Sequence, residues 1–509
     1  MPSCPCRNPL SELTFSLADA KLMDTTGGYD GIGRRAGFRF LCRKACGFDP
    51  HYPYHSAADV NASAAFSDVL PRRLSNMDTL HQLMDFISRS PSPYHAVASA
   101  AALLEGAGFA RLEECASWTL EWGKGYYTTR NQSSLIAFRL PKTALSGWRM
   151  TAAHSDSPTF YIKGDVLEGD KRYLRLSAEG YGGMNCASWL DRPLTVAGRA
   201  IVRTAQGVEG RLVYLDQDLL TIPSLAIHQQ RDVNRGHDYN AQKDMQPLYG
   251  LAGSPSLTQL VAQELNVNPE DILSNDLTLC PRQQPVVLGP AGELFQAPRI
   301  DDLGCAYATL EGLLTAASQD QLGQVYCLFD NEEVGSGTRQ GALSSFLPDV
   351  LSRIAHALKL DDQQMRQALA GSMLLSADNG HAVHPNFTEK ADPANKVYPN
   401  GGVVIKLSAN QKYTTTGLTA GLFKAVCQQA GVPAQIFANR ADEPGGSTLG
   451  NLLSQAVSIP MVDIGMAQLA MHSAVETAGS KDPAYMAKAC AAFFQAGFTP
   501  CADGVYQFT

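Results

Sequence analysis

The spacing of apolar residues predicts that a folded domain begins at Met77. From Leu80 to Ile87 apolar side chains recur at helical spacing, and a Ser-Pro-Ser-Pro break at 90–93 ends the pattern. The elements predicted next are a helix over about 95–107 and strands over about 134–140 and 148–153. We therefore expect residues 77–160 to form the first part of a folded domain.

The pattern changes over residues 161–290 to short runs in which polar and apolar residues alternate. Examples begin at Tyr173, Arg199 and Arg211. Alternation with a period of two is typical of strands that are buried on one face. The segment is therefore predicted to be an inserted β-rich domain.

Strands alternate with helices again over residues 291–509. The predicted elements are helices over about 303–317 and 415–430 and strands over about 324–329 and 372–377. This order is typical of a largely parallel sheet covered by helices. The predicted fold class is thus α/β, a mostly parallel sheet flanked by helices and built from 77–160 and 291–509, with the β-rich domain inserted.

Residues 1–76 differ from the rest because they lack sustained hydrophobic periodicity, and we expect a poorly ordered extension there. The formal net charge of −8 argues against a nucleic-acid binder, which needs a basic face. No apolar run reaches the length that spans a bilayer, so no membrane partner is expected. The N-terminus lacks a signal-peptide pattern, and the cytoplasm is the expected location.

Five residues that can bind a metal each follow an apolar run: His154, Asp301, Glu333, Asp378 and His472. In open α/β sheets such groups gather beyond the carboxyl ends of the strands. Zinc accepts imidazole nitrogen and carboxylate oxygen, and one carboxylate can bridge two ions. We expect His154 and Asp378 at one ion, Glu333 and His472 at the other, and Asp301 at both. The ions are expected to be Zn²⁺, with Co²⁺ or Mn²⁺ as alternatives.

Two further carboxylates are assigned as helpers of this centre. Asp156 lies two residues after His154, close enough to orient its imidazole. Glu332 and Glu333 would face opposite ways in an extended chain, so Glu333 can bind metal while Glu332 faces a water as general base. Each motif taken alone is more often a surface turn or a helix cap.

Together these segments resemble the M18 aminopeptidase family in order and spacing, over roughly residues 77–509. They are His154-Ser-Asp156-Ser-Pro158, Arg299-Ile-Asp301-Asp302-Leu303, Asp330-Asn-Glu332-Glu333-Val-Gly-Ser336, Asp378-Asn-Gly-His381-Ala-Val-His384-Pro-Asn386 and Met471-His472-Ser473. The resemblance, which is to aspartyl aminopeptidases within that family, implies a two-zinc enzyme that removes N-terminal residues from peptides. It implies acidic residues as substrates and leaves open whether neutral ones are accepted.

The resemblance also implies roles that the residues alone do not indicate. His228 resembles a family histidine that reaches the active site of a neighbouring subunit, so it is a candidate for substrate binding and for metal binding. His381, Lys406 and Tyr413 resemble residues that line the substrate pocket, where Lys406 would pair with an acidic side chain. The β-rich insertion would be a dimerisation domain, and the dimers would build a homo-oligomer such as a dodecamer.

Three alternatives stay open. Asp302 stands where the family usually has asparagine, so Asp302 instead of Asp301 could be the bridging ligand. Another dinuclear peptidase, or an amidohydrolase that cuts N-acyl amino acids, would share the metal chemistry and differ in its pocket. The chain could also be a catalytically silent assembly or cargo-binding protein, which would retain the protein shell without the enzymatic activity.

Overall fold

Three of the described helices begin at a residue whose side chain caps them. In the computed structural model, which describes residues 76–168 and 172–508, Ser256, Asp361 and Thr416 each accept a hydrogen bond from the backbone N–H three residues on. Within those ranges the helices are α1 (Asn76–Arg89), α2 (Pro93–Gly106), α3 (Leu257–Leu265), α4 (Ile300–Thr315), α5 (Phe346–Ala357), α6 (Asp362–Ala370), α7 (Gly417–Ala430), α8 (Leu449–Ala456) and α9 (Asp482–Gln495).

The strands form sheets of nine, six, five and two members among the described residues. The first are β1 (Ala110–Arg111), β2 (Gly125–Arg130), β3 (Ser134–Arg139), β4 (Gly147–His154), β5 (Thr159–Glu168), β6 (Tyr173–Tyr181), β7 (Leu194–Thr204), β8 (Gly207–Tyr214), β9 (Leu248–Leu251), β10 (Ile272–Pro281) and β11 (Val286–Leu288). They are followed by β12 (Leu294–Ala297), β13 (Leu322–Phe329), β14 (Met373–Ala377), β15 (Gly380–His381), β16 (Val403–Leu407), β17 (Ala434–Ala438), β18 (Met461–Gly465), β19 (Ala467–Leu469), β20 (Glu476–Gly479), β21 (Phe498–Ala502) and β22 (Val505–Phe508).

The nine-stranded sheet has the order β1-β2-β3-β13-β4-β14-β18-β16-β17. Its centre, β13-β4-β14-β18, is parallel throughout, and five of its eight neighbouring pairs are parallel. Helices α4, α7 and α9 contribute to the apolar cluster on one face, and α5 and α8 contribute to the cluster on the other. Burial on both faces explains why β4, β14 and β18 are largely continuous apolar runs. The predicted fold class is confirmed.

A six-stranded antiparallel sheet fills the stretch predicted to be β-rich. Its order is β8-β7-β10-β5-β6-β9, and every neighbouring pair is antiparallel. It has an apolar core of its own, which includes residues of α3. The predicted boundaries 161–290 and the role in dimerisation stay predictions. The extension over 1–76 falls, apart from Asn76, outside the described residues. Every described helix is too short or too polar to span a bilayer.

A smaller sheet has the order β11-β12-β20-β19-β15. Strand β20 stands between β12 and β19 and is antiparallel to both. Strands β12 and β19 therefore run in the same direction, and the loops that follow them leave the sheet at the same edge.

Gly465 is the last residue of β18 in the main sheet, and β19 of the smaller sheet begins two residues later. A Cβ atom placed on Gly465 would lie 2.0 Å from the carbonyl oxygen of Asp378, so the backbone would have to move. We expect Gly465→Ala to destabilise the protein by about 1–3 kcal/mol through overpacking. In α7, Gly421 has no atom within 4 Å of an added Cβ, and Gly421→Ala should stabilise by about 0.5–1 kcal/mol. Thermal unfolding of both variants checks this, and equal midpoints would contradict the packing argument.

Candidate active site

Three neighbouring parallel strands deliver most of the site. His154 is the last residue of β4, Asp378 follows β14, and the segment 330–333 follows β13. Because β13, β4 and β14 are adjacent and parallel, their carboxyl ends lie at one edge of the sheet. The structure therefore brings these predicted residues together.

Asp301 and His472 reach the site from the smaller sheet. Asp301 lies at the start of α4, four residues after β12 ends, and His472 lies three residues after β19 ends. The expectation that all five residues follow strands of one sheet is wrong for these two. The loops after β12 and β19 leave the same edge, which places the two side chains next to each other.

The Asp301 carboxylate lies between the two imidazoles. Its Oδ1 is 3.5 Å from Nε2 of His154, and its Oδ2 is 3.4 Å from Nε2 of His472. The same nitrogen of His472 is 3.5 Å from Oε2 of Glu333. Although burial alone would raise it, the two histidines lower the pKa of Asp301. One carboxylate with a different imidazole at each oxygen has the arrangement of a bridging ligand.

Unpartnered atoms show that the residues fit a metal. Oδ1 of Asp301, Oδ1 of Asp302 and Oε1 of Glu333 are buried without a hydrogen-bond partner. A buried acceptor without a partner is costly, and a cation would satisfy it. Ligand atoms lie within 4.8 Å of one another in three groups: His154, Asp301 and Asp302; His154, Glu332 and Glu333; and Asp301, Glu333 and His472. Imidazole nitrogen and carboxylate oxygen form a donor set that suits zinc.

Asp378 lies in the same cavity and forms an ion pair with Lys406. Its Oδ1 is 3.1 Å from the Nζ atom of Lys406, whose side chain is buried. Burial opposes the charge of Lys406, but Asp378 keeps the pKa of this lysine above its ordinary value. Asp378 is not in any of the three groups above. Its pairing with Lys406 leaves Oδ2 as the oxygen available to a metal.

Glu332 and Glu333 occupy a turn of 3-10 helix, not an extended segment. The reasoning that an extended chain separates the two side chains is therefore wrong, and both carboxylates reach the neighbourhood of His154. Burial raises the pKa of Glu332 to about 8, although His154 opposes the shift. A carboxyl group with a raised pKa can accept and release a proton near neutral pH.

Asp156 contacts His154 as expected and also fixes the segment after β13. Its Oδ1 lies 3.3 Å from Nδ1 of His154, and its backbone oxygen lies 3.0 Å from the same nitrogen. The backbone N–H groups of Glu332 and Glu333 donate to its carboxylate at 3.2 Å, and Tyr181 donates at 2.6 Å. Asp156 thus joins the ends of β4 and β13.

Asp302 points to the backbone of His154. Its Oδ2 accepts a hydrogen bond from the N–H of His154 at 3.2 Å, and burial raises its pKa well above the ordinary value. Both Asp301 and Asp302 are close to His154, but the contacts to both imidazoles belong to Asp301. This geometry favours Asp301 as the bridge.

The predicted pocket residues line one cavity of about 240 Å³ together with the metal-site candidates. His381, Lys406 and Tyr413 are among its walls, and Asn439 donates a hydrogen bond to Oη of Tyr413 at 3.2 Å. His228 lies elsewhere, on an exposed loop of the β-rich region. Its predicted role in a neighbouring subunit stays a prediction.

Sequence reasoning missed Glu476, the buried first residue of β20. Its carboxylate accepts hydrogen bonds from the backbone of both Asp301 and His472. Burial and the charge of Asp301 raise its pKa to about 8. The only indication in the sequence was its spacing, four positions after His472. An acidic residue in a short strand with alternating polar and apolar residues is expected to be exposed, so this spacing did not single out Glu476.

Comparison with known proteins decides the family. The family model described as aminopeptidase I zinc metalloprotease (M18) matches residues 86–494. The chain belongs to the M18 family. Membership confirms the resemblance found in the sequence, and it identifies this M18 chain as a metalloaminopeptidase of the zinc metalloprotease class.

Individual relatives agree with this membership. A probable M18 family aminopeptidase 2 of Clostridium novyi is 40% identical over 424 residues, covering 81% of this chain and 98% of the relative. One of Pseudomonas aeruginosa is 39% identical over 427 residues, covering 82% and 98%. A chain of the Ape4 and Nbr1 complex matches this M18 chain with a TM-score of 0.79 and 35% identity, covering 82% of this chain and 85% of that one. The yeast mApe1 dodecamer matches with a TM-score of 0.73 and 28% identity, covering 82% and 97%.

We expect chelation of divalent metal to lower the thermal unfolding midpoint of the M18 chain, because the clustered carboxylates then lack a counter-charge. Zinc at 100 times its Kd should stabilise the protein by about 2.7 kcal/mol per site. Unfolding followed with and without zinc measures the shift. Asp301→Asn should lose most of it, whereas Asp503→Asn, at an exposed turn, should keep it. An equal zinc-dependent shift in both variants would contradict the assignment of Asp301.

Proposed function

We propose that this M18 aminopeptidase works with two divalent ions that share Asp301, and that Glu332 is its general base. The observation that carries the proposal is the Asp301 carboxylate, which has an imidazole within 3.5 Å of each oxygen. His154 and Asp378 would complete one site, and Glu333 and His472 the other. Zn²⁺ is the expected ion, with Co²⁺ or Mn²⁺ as alternatives.

The proposed reaction is hydrolysis of the first peptide bond. Bound divalent ions acidify water and polarise a carbonyl oxygen. Glu332 takes a proton from the attacking water and then gives it to the leaving amine. The same carboxylate thus acts first as general base and then as general acid. The position of Glu332 supports this exchange because its carboxylate lines the same cavity as the metal-site candidates. Asp156 holds the imidazole of His154 and the backbone of Glu332 in place.

The proposed substrate is a peptide with a free N-terminus and an acidic first residue. A cavity of about 240 Å³ has room for one residue beside the metal-site candidates. Its lining includes Lys406, which would attract a carboxylate side chain, and His381 and Tyr413, which can donate hydrogen bonds. The Nζ atom of Lys406 already donates to Asp378. A substrate carboxylate would therefore share the three N–H donors of Lys406 with Asp378. A substrate α-amine that meets an ion or a carboxylate would restrict cleavage to the N-terminal residue.

We also propose a homo-oligomer built from dimers. The related mApe1 of yeast is a dodecamer. In this chain the loop with His228 also exposes the apolar side chains of Leu225 and Ile227, which suits a surface that another subunit covers. The six-stranded sheet would be the dimerisation domain, and His228 would contact the substrate or a metal of the neighbour.

A panel of peptides that differ only in the first residue tests this function with metal-loaded protein. We expect free-amine peptides with N-terminal Asp or Glu to be cleaved fastest. Glu332→Gln should lower kcat by about 10²–10⁴ because it removes the proton acceptor, while metal content stays unchanged. Glu270→Gln, at an exposed position, is the matched control and should have wild-type rates.

Three outcomes separate the alternatives. Equal rates for Glu332→Gln and wild type would remove Glu332 as the base. Cleavage of N-acetylated peptides alone would instead indicate an amidohydrolase. No metal binding and no hydrolysis after addition of zinc, cobalt or manganese would indicate a silent assembly protein.

A further inference from the structure

A buried carboxylate lies behind Asp301 and His472. Glu476 is 1% exposed, and its two oxygens accept from two different backbone donors. Oε1 accepts from the N–H of His472 at 2.7 Å, and Oε2 accepts from the N–H of Asp301 at 2.9 Å. One side chain therefore ties together two loops that are about 170 residues apart in the sequence.

The topology explains why a residue at this position can reach both loops. Glu476 is the first residue of β20, which stands between β12 and β19. Asp301 follows β12 and His472 follows β19, at the edge where β20 begins. Its side chain thus lies between the two loops and spans the gap between them.

Glu476 is placed to position ligands and not to bind a metal. Both of its oxygens are already used by N–H donors. In contrast, Oδ1 of Asp301 and Oε1 of Glu333 are buried without a partner. Asp301, Glu333 and His472 also line the cavity of about 240 Å³, whereas Glu476 is not among its lining residues.

The backbone of His472 needs this support. His472 has φ of +63°, in the left-handed region that costs a residue with a side chain about 1–2 kcal/mol. Glu476 accepts a hydrogen bond from the N–H of His472, and the N–H of Asn185 donates to the carbonyl oxygen of His472 at 3.0 Å. With both backbone groups held, the imidazole is fixed at the second oxygen of Asp301.

Asp156 does the same at the other side of the site. Its carboxylate accepts from the backbone N–H groups of Glu332 and Glu333 at 3.2 Å. Two buried carboxylates thus each fix a pair of neighbouring site residues through the main chain. The recurrence of the arrangement indicates that ligand spacing is set from behind the site.

We propose that Glu476 is a positioning residue that sets the spacing of Asp301 and His472 and thereby the affinity for the ion that these two residues share with Glu333. The inference rests on the proposed function, because it assumes that Asp301 and His472 bind metal. It adds a residue that acts on that ion only through the backbone of its ligands.

The test is metal affinity in Glu476→Gln, measured by chelator competition with metal content per chain as the readout. The amide keeps one acceptor and turns an NH₂ group towards the second N–H donor, so one of the two hydrogen bonds is lost. We expect metal to bind about 10–100-fold more weakly, with the larger loss at the ion that His472 binds, because Asp301 is proposed to contact both ions. Saturating metal should restore kcat to within a few-fold of wild type, which it should not do for Glu332→Gln.

Two further variants make the outcome decisive. Glu311→Gln, a half-buried glutamate of α4 that contacts Tyr307, is the matched control and should bind both ions with wild-type affinity. If Glu476→Gln does not fold, Glu476→Asp keeps both oxygens on a side chain that is one methylene shorter, and it should also weaken metal binding, most at the ion that His472 binds. Wild-type affinity for both ions in either folded Glu476 variant would overturn the inference. Wild-type protein that binds no divalent ion would instead overturn the proposed function.

Discussion

The structure depends on how it compensates buried negative charge. The acids at the site are Asp156, Asp301, Asp302, Asp330, Glu332, Glu333, Asp378 and Glu476, and each is buried or half-buried. Within residues 76–168 and 172–508, the basic groups that contact them are two histidines and Lys406. Burying a charge without a partner is far more costly than burying a neutral polar group. Part of this charge is met by backbone N–H donors, and the unpartnered oxygens around Asp301 are left for cations.

Two sheets position these charged side chains. The parallel strands β13, β4 and β14 bring His154, Asp378 and the Glu332–Glu333 turn to one edge. The loops after β12 and β19 of the smaller sheet bring Asp301 and His472 to the same site. Asp156 and Glu476 then fix the loops by accepting hydrogen bonds from their main chains. Accurate ligand geometry therefore comes from backbone hydrogen bonds as much as from the ligands' own side chains.

Sequence reasoning predicted the parts of this arrangement that depend on local pattern. His154 and Asp378 end or follow apolar strands of eight and five residues, which can be identified from their residues alone. Asp301 and His472 follow strands of four and three residues, which are too short to show a periodicity. Their convergence depends on pairing with β20, a contact between distant parts of the chain. These two residues were selected because a metal-binding side chain follows an apolar run, and the family resemblance then agreed with that selection.

Other features could not be predicted for different reasons. The turn at Glu332 is fixed by hydrogen bonds to Asp156, so an extended chain was a poor assumption there. Glu476 occupies one position of a short strand, and only the folded structure shows that its carboxylate points inward to two N–H donors. His228 concerns a neighbouring subunit, which a single chain does not contain.

Anomalous X-ray scattering at the zinc edge, from crystals of the full chain prepared with zinc, tests the central claim most directly. The account predicts two peaks about 3.5–4 Å apart, one on each side of the Asp301 carboxylate, with His154 at one and His472 at the other. A single peak, or two peaks bridged by Asp302, would contradict it.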